Sequence, residues 1–214
     1  MWLATDCSID DVQNWLDSQD KENLGKFLGK RHEERFFGPI DCLKEAAHTY
    51  DGYGFSMMSL CCLLVETFQC YREGVPTTNK REWRRLLDIQ NAGSVPQEYK
   101  LQGQDPPING EAAFKNFFER YPNNFPNLDG VSFYRYIRNG LLHQAQTKGG
   151  WKINIKHSSV WDPASSSINR DLFAEALKSC FDAYLKDLEQ AGWRDELWKN
   201  AARKIWWLIR ISRP

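Results

Sequence analysis

The sequence predicts an all-α, or mainly α, fold: a helical bundle carrying one short β-strand or hairpin. Three observations predict it. Apolar residues recur at threes and fours along most of the chain, as in Leu172, Phe173, Ala176, Leu177, Cys180, Phe181, Tyr184, Leu185 and Leu188, the period of one buried helical stripe. Strict period-two alternation marks one short stretch, Trp151-Lys152-Ile153-Asn154-Ile155-Lys156, as a strand. Capping residues such as Ser8 and Asn169 stand where stripes begin, and Gly or Pro where they stop.

In chain order, Ser8 caps the first helix, with Asp11 three residues on and Val12, Trp15 and Leu16 following. Lys21 to Phe37 reads as one polar helix with Leu24, Phe27, Leu28, Phe36 and Phe37 inside and His32 solvated. Gly38-Pro39 ends it and opens the next, which runs to Tyr50 with Ile40, Leu43, Ala46 and Ala47 on one side. Asp51-Gly52-Tyr53-Gly54 breaks that helix. Phe55 to Tyr71 is the most apolar element, expected to be buried on most sides at the bundle centre. Its one carboxylate, Glu66, must face outward or meet a cation such as Arg138, because a lone buried charge is costly; the outward position is expected.

Arg72 to Arg85 is basic and broken by Gly74 and Pro76, a solvated face or an RNA-facing loop through Lys80, Arg81, Arg84 and Arg85. Gln90 to Gly110 is rich in Asn, Gly, Ser, Pro and Gln and reads as a long surface loop. Glu111 to Tyr121 resumes helical spacing with Ala113, Phe114, Phe117 and Phe118, rings expected to pack beside the helix that follows Pro122–Pro126. After Gly149-Gly150 comes the strand, with Trp151, Ile153 and Ile155 inward, paired in a hairpin with Ser159-Val160-Trp161; His157 reads as a turn residue. Asn169 caps the helix that closes the bundle. Residues 1–191 form one domain on this reading, and 192–214 a basic, Trp-rich C-terminal helix or tail. The tail either packs as one more helix or docks on a protein partner or second subunit; an anionic membrane surface ranks last.

Net charge is +0 over 214 residues, which excludes a protein that coats nucleic acid by bulk charge. Any RNA contact is therefore local. Six cysteines show no Cys-x-x-Cys spacing and read as reduced core thiols, which suits a cytoplasmic protein. The acidic first residues contain no apolar run, and no segment of about 20 apolar residues appears, so neither a secretory signal nor a membrane span is expected. With no Gly-x4-Gly-Lys loop and no clustered His and carboxylate residues, no cofactor or metal is expected. Nine tryptophans exceed what a small bundle core needs and point to rings that meet another chain.

The stretch that carries chemistry is Arg138-Asn139-Gly140-Leu141-Leu142-His143-Gln144. From Asp129 onward, Val131, Tyr134, Ile137, Leu141 and Ala145 form the expected buried stripe, widened by Leu142. Arg135, Arg138, Asn139, His143 and Gln146 fall on the polar arc. At about 100 degrees per residue, Asn139 and His143 share a face, while Arg138 and His143 stand roughly 140 degrees apart. Either Gly140 deforms the backbone, or two copies of the helix pool their groups across a twofold axis. A pooled site offers two imidazoles, two guanidiniums and two amides. One imidazole would take the proton of a ribose 2'-OH and the other protonate the leaving 5' oxygen, with the guanidinium fork holding the phosphate.

With 14 arginines and 4 histidines, an arginine five positions before a histidine arises by chance roughly one time in four. The surrounding run is more specific. Phe133-Tyr134-Arg135-Tyr136-Ile137-Arg138-Asn139-Gly140-Leu141-Leu142-His143-Gln144-Ala145, followed by Gly149-Gly150-Trp151-Lys152-Ile153, resembles the HEPN family (higher eukaryotes and prokaryotes nucleotide-binding) in its Arg-x4-His subset. The resemblance implies a HEPN-like bundle that dimerises through the motif helix into a metal-independent endoribonuclease, with Arg138, Asn139 and His143 catalytic. It further implies a prokaryotic toxin or phage-defence effector, with an antitoxin or defence-complex subunit as partner, or alternatively an inactive adaptor subunit. The basic strand edge, with Arg135 and Lys148, is expected to extend a phosphate-binding surface.

Overall fold

The computed structural model describes residues 1–47 and 52–213. In chain order the elements are β1 (Trp2–Ala4), β2 (Cys7–Ser8), α1 (Ile9–Asp17), α2 (Lys21–His32), a π-helical turn (Glu33–Phe37), α3 (Gly38–Ala47), α4 (Tyr53–Glu73), α5 (Lys80–Ala92) and a 3-10 turn (Gln97–Tyr99). They continue with α6 (Gly110–Arg120), α7 (Gly130–Phe133), a second π-helical turn (Tyr134–Arg138), α8 (Asn139–Gln144), β3 (Lys152–Asn154), β4 (Trp161–Asp162), β5 (Ser167–Asn169), α9 (Arg170–Gln190) and α10 (Glu196–Ser212). The fold is mainly α, and among the described residues no helix is long and apolar enough to cross a membrane. The expected helix end at Tyr50 and the break at Asp51 lie outside the described residues; Tyr53 and Gly54, expected in that break, already belong to α4.

The chain divides into two compact units. The first comprises Met1–His32, Thr67–Asn109 and Tyr184–Pro214. Its opening follows the sequence: Ser8 Oγ accepts the Asp11 amide at 3.1 Å while the Asp11 carboxylate accepts the Ser8 amide at 2.9 Å, a closed capping box that satisfies two otherwise orphaned donors. The Ser8 hydroxyl, and after it the Ser8 amide, donate to the Asp11 carboxylate and lower its pKa. His32, expected in solvent, is 1% exposed. Its Nδ1–H donates to the Leu28 carbonyl at 2.8 Å and its ring meets Tyr71 edge-on. Burial pushes its pKa down to about 4, since desolvation disfavours the imidazolium.

Lys80–Ala92, expected as a broken basic stretch running into a loop, is a helix capped by Asn79, whose side-chain oxygen accepts the Arg81 and Glu82 amides. The cap stops the Gly74–Pro76 irregularity from propagating, and Trp83 and Leu86 anchor the helix. The following loop is held down at Tyr99, which stacks on Trp206 and accepts the Trp207 indole N–H at 2.9 Å. Residues 192–214 belong to this unit: α10 buries Trp198, Ala201, Ala202, Ile205, Trp206, Trp207 and Ile209, and it packs against α1.

The second unit comprises Glu33–Glu66 and Gly110–Ala183. Gly38-Pro39 was expected to end a helix, yet helical backbone continues from the π turn into α3. Proline removes one amide donor and crowds the carbonyl four residues back, and a single wide turn is how a helix absorbs both. The core is a group of stacked and edge-on rings: Phe114 and Phe118 of α6, Phe125, Phe133 of α7 and Phe173 of α9. Gly130 makes this packing possible, because a Cβ there would stand 2.6 Å from the Lys115 Cα and the Phe114 carbonyl oxygen. The small sheet differs from the expected hairpin. Its order is β3-β5-β4, with β3 parallel to β5 and β4 antiparallel to it. Ile155, expected inside, lies past the end of β3 and is 44% exposed. Asn169 caps α9 as expected, accepting the Asp171 and Leu172 amides at 3.1 and 3.2 Å.

Candidate functional site

Asp129 opens the motif helix, its carboxylate accepting the Ser132 amide at 2.9 Å; the Ser132 side chain, and after it the backbone amides of Ser132 and Val131, lower the Asp129 pKa. After one α-helical turn the backbone widens over Tyr134–Arg138, where the Asn139 amide reaches the Tyr134 carbonyl five residues back. A deformation at Gly140 is one of the two options the sequence leaves open; the structure widens the helix one turn earlier. The wide turn shifts the helical phase, so the buried positions are Phe133, Ile137, Gly140 and Leu141. Val131 and Tyr134 are half-buried and Ala145 is exposed, correcting the expected stripe. The helix also stops before Gly149: Ala145 is left-handed at φ 53°, its amide bonding back to the Gly140 and Leu141 carbonyls. Gly140 permits this tight return, because a Cβ there would collide with the Gln146 carbonyl oxygen.

These departures set the three site residues. Arg138 leaves the π turn inward, with a side chain 17% exposed. Its Nη2 donates to Glu66 Oε2 on α4 at 2.9 Å, its Nη1 to Asn139 Oδ1 at 3.2 Å, and its guanidinium lies 5.3 Å from the Tyr134 ring centre. Glu66, expected to face outward, is instead 19% exposed and paired with Arg138; two half-enclosed charges stabilise each other where either alone would be costly. Cys62, one turn before Glu66, is buried, and burial raises its pKa well above the ordinary thiol value. His143 sits in the last turn of α8 with its side chain exposed.

The structure thus brings Arg138 and Asn139 together and leaves His143 apart on the solvent side. Of the other cations, Arg135 is tied to Glu111 at 2.9 Å, which reduces what it can offer a phosphate. Lys152 and Lys156 are exposed and Lys148 is half-buried, and among the described residues none of the three forms an ion pair. His157 sits in a turn, its Nδ1 2.8 Å from the Ser159 carbonyl. Among the described residues, no three His, Cys, Asp or Glu side chains gather as a metal-binding group. None of the six cysteines forms a disulfide, and Cys42 is the exposed one.

Two features escaped the sequence reading. Tyr134, placed in the buried stripe, is the aromatic wall of the Arg138 site; its spacing four residues before Arg138 is the signal that could have found it. Tyr136, Trp151 and Trp161 form a row of rings beside the motif helix, which nothing in the linear spacing reveals. No family model matches this chain, and neither a curated protein nor a solved structure matches it.

Proposed function

We propose that the chain is a metal-independent endoribonuclease of the HEPN type, acting as a homodimer assembled across the motif helix. The observation that carries this reading is the exposed His143 imidazole on the short helix that starts at Asn139, directly after Arg138, whose guanidinium bonds Asn139. Because Arg138 turns inward and His143 outward, one chain does not aim both at one phosphodiester. Two helices meeting at a twofold axis supply a second imidazole.

In the reaction, one His143 takes the proton of a ribose 2'-OH and the 2' oxygen attacks the adjacent phosphorus. The bond from phosphorus to the 5' oxygen breaks, and the second copy's His143 protonates that oxygen. The products are a 2',3'-cyclic phosphate and a 5'-hydroxyl. Imidazole suits both roles because it changes charge between about pH 5 and 8. Arg138 stabilises charge developing on the phosphate oxygens, Asn139 holds the guanidinium by its Nη1, and Glu66 fixes the other arm. A role as a cytoplasmic toxin or phage-defence effector, held in check by a partner protein, belongs to the same proposal.

The competing reading, an inactive adaptor, draws on one observation: the Arg138 guanidinium is already spent on Glu66 inside the fold. The test is cleavage of mixed RNA in EDTA by wild type and by His143→Ala. The nuclease reading predicts cleavage lost only in the variant; RNA left intact by both, alone and with candidate partners, favours the adaptor.

A further inference from the structure

Tyr136, Trp151 and Trp161 line up in one row. Tyr136 and Trp151 stand 6.0 Å apart at 33°, and Trp151 stacks on Trp161 at 4.3 Å and 20°. The row is built deliberately by the backbone. The Lys148 amide donates to the Tyr136 carbonyl at 2.8 Å. Gly149, at φ +60°, then carries the chain over the Tyr136 ring so closely that a Cβ would stand 2.7 Å from it. Thr147 Oγ fastens the return by donating to the Trp151 carbonyl at 2.5 Å. Trp161 is placed on β4, an edge strand of the three-stranded sheet.

The row is not sealed into the core. Tyr136 is 38% exposed, against 0% for Phe133 on the same helix, and Trp151 and Trp161 are half-buried. Tyr136 precedes Asn139 by three residues and His143 by seven, in the widened turn that leads into the helix carrying both. Lys148, Lys152 and Lys156 follow along the same stretch of chain. An accessible ring, a ladder behind it and free cations beside it are the components with which proteins hold single-stranded nucleic acid: bases stack on rings and phosphates meet the lysines. A duplex hides its base faces and gains nothing from such a ladder.

We infer that Tyr136, backed by Trp151 and Trp161, is a stacking platform for an unpaired nucleic-acid base. The inference rests on the nuclease reading only for the place of the cleaved linkage beside it, and it adds a base-binding subsite made of these three rings.

The experiment separates the two. Binding of a labelled 2'-deoxy oligonucleotide, which offers no 2'-OH and is not cut, is measured by fluorescence anisotropy, single-stranded and annealed to its complement. Wild type is compared with Tyr136→Ala and Tyr136→Trp, each shown by circular dichroism to be folded. The platform predicts binding weakened about tenfold by alanine and retained by tryptophan, quenching of tryptophan emission, and a duplex bound at least about tenfold more weakly than the single strand. Equal binding by wild type and Tyr136→Ala, or equal binding of single strand and duplex, overturns it. If His143→Ala abolishes RNA cleavage while Tyr136→Ala changes neither binding nor cleavage, the platform falls and the nuclease reading stands. If Tyr136-dependent single-strand binding is found without any RNA cleavage, the platform stands and the nuclease reading falls.

Discussion

Neutralising one side of the Glu66–Arg138 pair tests how firmly the guanidinium is held. Its charges meet at 2.9 Å, with the side chains 19% and 17% exposed. At an effective dielectric of about 20 the gross attraction is about 6 kcal/mol. Removing two charges from most of their water offsets much of that, leaving a coupling of about 2 kcal/mol. Glu66→Gln removes the charge that offsets a half-enclosed guanidinium, leaving it a neutral amide oxygen beside Asn139 and the Tyr134 ring, and is expected to cost about 2–3 kcal/mol. Arg138→Met takes the cation away from the Glu66 carboxylate at similar cost. The double variant is expected to cost about 2 kcal/mol less than the sum. In urea unfolding followed by circular dichroism, that deficit is about 1 M in midpoint at a slope of about 2 kcal/mol per molar. Additivity within about 0.5 kcal/mol refutes the reasoning.

Gly130→Ala forces a methyl against the Lys115 backbone and is expected to destabilise by about 1–3 kcal/mol; an unchanged melting temperature contradicts that close approach. His32 has a folded pKa of about 4 against 6.5 ordinarily. The unfolded chain therefore binds the extra proton first, and the contribution from burying the neutral ring is full above pH 6.5 and lost as pH falls toward 4. That loss is about 3 kcal/mol, and His32→Leu should flatten the slope across this window. A slope that survives the substitution assigns it to other groups. Trp207→Ala empties a site that is 0% exposed and removes the bond to the Tyr99 carbonyl, for an expected loss of about 3–5 kcal/mol; a loss under about 1 kcal/mol argues against α10 as part of the first unit's core.

Local chemistry was readable wherever a residue acts on its immediate neighbours. The Ser8–Asp11 box, the Asn169 cap and the α6 rings all stand as their spacing implies, because short-range bonds and one helical period determine them. Features set by backbone departures were not readable. Each π turn inserts a residue into the helical count, so the motif stripe came out rotated, with Phe133 and Gly140 inside and Ala145 outside. His32, just before the other π turn, was placed in solvent although it is buried. Asn79 was passed over because Gly74 and Pro76 argue for a loop, yet one side-chain cap suffices to start α5. The Glu66–Arg138 pair joins residues 72 apart in sequence; the cost of an isolated carboxylate raised it as an option, but only tertiary packing selects it. Within the site, residue identities were legible from Arg138, Asn139 and His143, and their opposite orientations were not.

End-group analysis of RNA incubated with the protein in EDTA tests the central claim most directly. The account predicts 2',3'-cyclic phosphate and 5'-hydroxyl ends from wild type and none from His143→Ala. A 5'-phosphate product, or the same ends at the same rate from the variant, contradicts it.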